Sequence, residues 1–276
     1  MAFRRLFLDI EVSPNVGHFW QPGYKVSLSY HNITKERAMI CVCYKWADHK
    51  EVQSLKWDRG DDAAMLRKLA TVLDQADEVV THNGDRFDLP WIRTRALLHD
   101  ISINDCFASA DTLKVARHKY KFNSNRLDYL GRFLGLGTKL QNPPDLWMRV
   151  MDGEKKALDQ MIAYCKQDVL LLEKVHGKLM KFAKPHSHVG AHTGGDRLSC
   201  PYCGSMNTKV NLSRYTPSGM MRRQMKCKAC DHFFTVADGV YRGVLKAREK
   251  LATKEAKLLA DLAALRGGLS ENIRKL

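Results

Sequence analysis

Residues 6–11 read Leu6-Phe7-Leu8-Asp9-Ile10-Glu11, an apolar run interrupted twice by a carboxylate. Its length and composition predict a buried strand. Residues two apart on a strand point to the same face, so Asp9 and Glu11 project together. Burying such a pair beside apolar neighbours is prohibitive unless a cation neutralises it. Two further segments offer matching groups. Val79-Val80-Thr81 ends in Asn83-x-x-x-Phe87-Asp88, which puts Asp88 just past another strand. Tyr164 and Asp168 stand four apart in a helical pattern and share a helix face. Asp and Glu oxygens are the ligands Mg²⁺ takes. Two such ions about 4 Å apart can activate a water and stabilise a leaving oxygen in phosphodiester hydrolysis.

The rest of the pattern predicts an α/β chain, with a mixed sheet flanked by helices. Strands are expected at 5–12, 38–46, 51–57, 77–82 and 105–113. Helices are expected from Asp61 or Asp62, as caps, to about residue 75, from Pro90 to about 99, over 126–136 and over 154–182. Residues 13–36, rich in Pro, Gly, Asn and Ser with Trp20, Tyr24 and Tyr30 interspersed, read as a long loop of the kind that often carries function. Asp111 reads as a strand-end cap, with an extra acidic neighbour of the site as the alternative.

Charge points to the partner. The net charge is +15, which fits a protein that meets nucleic acid through its phosphates. Residues 186–276 hold 16 Lys and Arg against 7 Asp and Glu, so the C-terminal third carries most of the excess. The N-terminus does not read as a signal peptide, and no stretch approaches the ~18 apolar residues that span a membrane. A soluble cytoplasmic protein is the expectation. Four cysteines, Cys41, Cys43, Cys106 and Cys165, sit among apolar neighbours and read as small core residues. The other four form Cys200-x₂-Cys203 and Cys227-x₂-Cys230, whose doubled spacing is that of four thiolates around one structural Zn²⁺. His232 is an alternative ligand, although four cysteines already close such a site. Segments 208–215 and 221–226 suit a hairpin between the two pairs. Residues 183–199, with Pro185, His186, His188, His192 and several glycines, read as a linker. Residues 240–266 read as a basic helix with Val244, Leu245, Leu251, Leu258, Leu259, Leu262 and Leu265 at spacings irregular for heptads. The expected domains are thus 1–183, a linker at 184–199, a ribbon at 200–236 and a helical tail at 240–276.

In order and spacing, the three acidic motifs resemble those of the DEDD (DnaQ-like) exonucleases, in the tyrosine-bearing subclass. His82 to Pro90, Asp111-Thr112-Leu113-Lys114, Leu127 to Leu130 with Leu134 to Gly137, and Lys166 to Val169 resemble a group of phage-encoded exonucleases related to family B polymerase proofreading domains. Members of that group often carry a zinc ribbon. The resemblance implies a ribonuclease H-like fold and a stand-alone 3′–5′ exonuclease that uses two Mg²⁺ or Mn²⁺. Single-stranded DNA ends would be released as nucleoside 5′-monophosphates. It implies that Asp9 bridges both metals, Glu11 and Asp168 complete one site, Asp88 helps hold the other, and Tyr164 orients the attacking water. Asn83 and Phe87 of the second motif are implied substrate contacts. The ribbon and tail would grip the strand or recruit replication or recombination proteins. The alternatives are an RNA exonuclease of the same fold and a non-catalytic zinc-ribbon binding or adaptor protein.

Overall fold

The structure is a computed structural model that describes residues 2–21 and 28–274, with side chains of the last helix described up to residue 263. Tyr24 and the side chain of Leu265 lie outside the described residues. The chain divides into two units, Phe3–Ser187 and the residues from His188 onward.

The first unit begins with β1 (Arg5–Val12), followed by β2 (Val16–Gly17), a 3₁₀ turn at Tyr30–Asn32 and β3 (Ile33–Lys35). Next come β4 (Met39–Trp46), β5 (Gln53–Lys56), α1 (Ala63–Leu73), β6 (Glu78–Thr81), α2 (Asp88–Leu98) and β7 (Ala108–Asp111). It closes with α3 (Thr112–Lys119), α4 (Leu127–Phe133), α5 (Leu146–Met151) and α6 (Lys155–Leu179). Five strands form one mixed sheet in the order β5-β4-β1-β6-β7. β1 pairs antiparallel with β4 and parallel with β6, and β6 pairs parallel with β7.

Strand alternation explains why both sheet faces are covered. Leu6, Leu8 and Ile10 face a core built with α1 and α2 (Leu66, Leu69, Leu73, Ile92). Phe7 faces the opposite core, with Met161, Val169, Leu172 and Val175 of α6. Asp9 and Glu11 share Phe7's parity, so the same pleat aims both carboxylates at α6. On β4 the residues of that parity are Cys41, Cys43 and Lys45. The Lys45 ammonium reaches Glu173 of α6 at 2.6 Å and ties helix to sheet.

The expected α/β architecture is present, with differences that have local causes. Asp62 does not cap α1. It is fully buried and accepts from Met39 N and, at 2.7 and 2.8 Å, from two Arg95 nitrogens, with His99 Nε2 at 2.6 Å. Asp61 takes the helix-start amide of Ala63 instead. Pro90 is the third residue of α2, not its first, still within the turn whose amides have no helical partner. The expected strand at 105–113 is shorter, because Asp111 ends β7 and caps a separate helix, α3, by accepting from Leu113 N at 2.9 Å. Cys106 is exposed, not a core residue.

The second unit starts with α7 (Val189–His192). Its three-stranded sheet, in the order β10-β9-β8, consists of β8 (Thr208–Tyr215), β9 (Met221–Cys227) and β10 (Phe233–Ala237), and α8 (Asp238–Arg274) follows. The hairpin thus gains a third strand. Residues 189–195 pack on the first cysteine pair: Val189 N donates to Pro201 O, and Gly190 and Gly195 lie against Ser199. Buried apolar side chains here are few, chiefly Leu198, Met225 and Val236. Among the described residues, no helix is long and apolar enough to cross a membrane.

Candidate active site and metal centre

Strand β6 ends at Thr81, and the chain must turn sharply to enter α2. Asn83 takes a positive φ of 72°, a region Asn tolerates better than most residues. Its amide is held at 2.9 Å by Asp111 Oδ1. At Gly84 a side chain is excluded, since a Cβ there would lie 2.1 Å from Thr81 Oγ1. The turn delivers Asp88 to the first position of α2. Strand β6 pairs with β1 only as far as Phe7, and beyond it Asp88 Oδ1 takes the amide of Ile10 at 3.2 Å. Asp88 is thereby buried beside the two β1 carboxylates. Phe87, the residue before it, is partly exposed.

From the other side, α6 supplies Asp168, 1% exposed, and Tyr164 one turn earlier. Carboxylate oxygens of Asp9, Glu11 and Asp168 lie within 4.8 Å of one another. All four predicted acids and Tyr164 are therefore gathered at one place. Asn83 shapes the approach through its backbone.

The electrostatics are those of crowded, desolvated anions. Burial, then Asp88, Glu11 and Asp168, raise the Asp9 carboxyl well above the usual range. Burial and Asp168 push Glu11 up to about 8. Burial pushes Asp88 up to about 7. Burial raises Asp168 against the pull of Lys139. Desolvation and Asp168 push the Tyr164 phenol up to about 12. Asp168 Oδ1 is buried with no partner in the protein. Four anions that resist ionising together, with an orphaned oxygen among them, fit a divalent cation held by oxygen.

One site residue has no counterpart in the predicted set. Lys139, from the coil between α4 and α5, places Nζ 2.5 Å from Asp168 Oδ2 and 3.2 Å from the Tyr164 hydroxyl. Its amide donates to Asp128 Oδ1 of α4 at 3.1 Å, which fixes the coil. Burial would lower the ammonium's pKa, but Asp168 and Asp9 hold it above its usual value. Behind the cluster, the Cys165 thiol lies 3.4 Å from the Asp9 carbonyl and 3.6 Å from Asp9 Oδ2. The long loop after β1 borders a groove of about 640 Å³ lined by Pro14, Asn15, Phe19, Tyr30, Met148 and Met151 among others.

Residues 28–180 match the family model for the RNase_H superfamily. The chain belongs to the RNase_H superfamily. Strand β1 lies before the matched residues, yet it supplies the centre of this superfamily domain's sheet. A DNA polymerase of Methanocaldococcus jannaschii is 28% identical over 83 residues, 30% of this chain and 5% of the polymerase. The family B DNA polymerase of the hyperthermophilic archaeon Pyrobaculum calidifontis shares the fold with a TM-score of 0.52 at 14% identity. That match covers 79% of this chain and 31% of the polymerase. The chain thus spans less than a third of the length of either polymerase.

A separate cluster of metal-ligating side chains in this superfamily member lies in its ribbon. Residues 198–237 match a zinc-ribbon model described as the N-terminal domain of NrdR-like transcriptional repressors. Cys200, Cys203, Cys227 and Cys230 bring their sulfurs within 4.8 Å of one another, with Cys200–Cys230 at 3.6 Å and Cys203–Cys227 at 3.7 Å. Thiolates at the usual Zn–S length of about 2.3 Å stand about 3.8 Å apart in a tetrahedron. In each pair the residue after the second cysteine has positive φ, Gly204 at 78° and Asp231 at 58°, which folds the chain back around the sulfurs. His232 stacks on Tyr202 at 4.1 Å and is not part of the sulfur cluster. Of the ribbon's aromatics, Phe234 packs on the small core, while Tyr215 and Phe233 are exposed beside Arg214, Arg222 and Lys226.

Proposed function

We propose that this protein is a metal-dependent 3′–5′ exonuclease of the DEDD type, tyrosine subclass, that hydrolyses single-stranded DNA ends to nucleoside 5′-monophosphates. The observation that carries the reading is the convergence of Asp9, Glu11, Asp88 and Asp168 from one strand and two helices on one point. The fold supports it, as does the likeness to polymerases. Asp9, Glu11 and Asp168 would hold one Mg²⁺ or Mn²⁺, and Asp9 with Asp88 a second. Such ions, when bound, supply an activated water and neutralise the leaving oxygen.

The protein's own groups do the rest. Tyr164 keeps its proton at neutral pH, because its phenol is pushed up to about 12. Its hydroxyl can therefore donate to the scissile phosphate or accept from the attacking water, fixing the line of attack. Lys139, 3.2 Å from that hydroxyl, holds it in place and adds positive charge where the phosphate gains negative charge. The groove beyond β1 has the volume for one nucleotide, with Phe19 and Tyr30 to stack on its base. The ribbon's exposed rings and cations grip the strand. DNA is preferred over RNA here because the protein's likeness is to DNA polymerases. We also assign residues 1–183 to the nuclease, 200–236 to the ribbon and 240–276 to a basic tail.

The test incubates zinc-loaded protein with 5′-labelled single-stranded DNA or RNA in Mg²⁺ or Mn²⁺, beside Asp9→Ala. A ladder shortening from the 3′ end, faster on DNA and absent with Asp9→Ala, is the expected result. No cleavage of either strand refutes the reading and leaves a nucleic-acid-binding protein.

A further inference from the structure

The first unit carries a surface that catalysis does not use. Five aromatic rings form an unbroken chain across α4 and the C-terminal ends of α3 and α6. Phe182 lies 6.4 Å from Tyr120, Tyr120 stacks on Phe122 at 5.3 Å, Phe122 meets Phe133 edge-on at 5.4 Å, and Phe133 stacks on Tyr129 at 6.0 Å. The inner rings are anchored. Tyr120, Phe122 and Tyr129 pack on the core, and the Tyr120 hydroxyl donates to Leu179 O at 2.6 Å. The two others are not buried: Phe133 is 62% exposed and Phe182 76%. Core packing accounts for the inner three and not for these.

The chemistry around the rings selects a polyanion. Residues 117–134 and 178–186 contain Arg117, Lys119, Lys121, Arg126, Arg132, Lys178, Lys181 and Lys184 against a single acid, Asp128. That excess of seven exceeds the excess of six carried by residues 1–185 as a whole. The rest of the unit is therefore close to neutral or acidic, and its excess positive charge lies in the segments that carry the rings. An apolar protein partner would not need this charge, and a duplex would offer no free base faces to the rings. A single strand offers both phosphates and base faces.

The surface also leads to the site. Asp128, one residue before Tyr129, holds the Lys139 amide, and Lys139 contacts Asp168. Along α6, Leu179 lies eleven residues beyond Asp168, about 16 Å.

We propose that this aromatic and basic surface is a second binding site for single-stranded nucleic acid, holding the strand away from the carboxylates during successive cleavages. This rests on the nuclease reading for its role in cleavage, but not for the binding itself. The test uses full-length, zinc-loaded protein in the Asp9→Ala background and measures Kd for fluorescent dT30 and dT5 by anisotropy. Phe133→Ala with Phe182→Ala is expected to weaken dT30 binding about tenfold or more, given what base stacking contributes per ring. Lys181→Gln with Lys184→Gln, which leaves the rings in place, is expected to lower the slope of log Kd against log salt by about 1 to 2. With Asp9 restored, both double variants should cleave dT5 at the parental rate and dT30 less processively. Parental Kd and salt slope in both double variants overturn the proposal. Weakened binding in a protein whose parent cleaves nothing sustains this surface and removes the nuclease reading instead.

Discussion

Glu11→Gln isolates the electrostatic strain of the carboxylate cluster. In the Mg²⁺-free protein Glu11 is pushed from 4.5 to about 8, chiefly by burial and by Asp168. A carboxyl whose folded pKa is raised favours the fold below its unfolded pKa and loses that contribution as pH rises through the folded value. For Glu11 the loss runs from about 4.5 to about 8, and by pH 8 it corresponds to about 4 kcal/mol. Asp9, Asp88 and Asp168 readjust when Glu11 is neutralised, so the recoverable part is smaller, on the order of 2 kcal/mol. Glutamine keeps the shape and removes the charge. Glu11→Gln should therefore match wild type at pH 5 and exceed it at pH 8.5 by about 4–8 °C in Tm without Mg²⁺. Added Mg²⁺ should stabilise wild type more than the variant, shrinking the gap. All five tryptophans, Trp20, Trp46, Trp57, Trp91 and Trp147, lie in the first unit, so tryptophan fluorescence follows that unit alone. A variant no more stable than wild type at pH 8.5 without Mg²⁺ would refute the view that these carboxylates oppose one another.

Two further outcomes are expected. Lys139→Ala removes the cation 2.5 Å from the buried Asp168 and the donor to Tyr164, so single-turnover cleavage should fall about 100-fold or more, with Lys139→Arg recovering part of it; wild-type rates in the alanine variant would exclude Lys139 from the site. Removal of zinc by a strong chelator should abolish the ordered β-sheet of the ribbon, whose buried apolar core is little more than Leu198, Met225 and Val236, while tryptophan fluorescence in the first unit holds; amide exchange that leaves residues 208–237 protected without metal would refute this.

The parts of the site legible in the sequence are those written in strand and helix periods. Asp9 and Glu11 share a face because their spacing is two, and Tyr164 and Asp168 because theirs is four. Each pair needs only its own element to be recognised correctly. The spacing of the cysteine pairs was equally readable, because four thiolates at one ion need little more than two tight turns. Lys139 follows no period. It lies in coil between two short helices, one of which, α5, is not marked by the pattern, and it reaches Asp168 because Asp128 captures its amide. A contact made by coil through a side-chain bond to another element leaves no local trace. Asp62 misled for the related reason that an acid before a helix reads as a cap. What decided its role was Arg95, 33 residues away, whose guanidinium needed a buried anion.

The placement of the carboxylates follows from burial rather than from any preference of the acids themselves. Leu6, Leu8 and Ile10 are at most 3% exposed against α1 and α2, and Phe7 is buried against α6. A slip of one residue in β1 would send three large apolar side chains to α6 and turn Asp9 and Glu11 into the core of α1 and α2. There Leu66, Leu69 and Ile92 offer no ligand, no cation and no water. The apolar register therefore fixes the acidic one. The carboxylates meet Asp168 because the leucines around them have only one face to occupy, and the acidic cluster is held by hydrophobic contacts that never touch it.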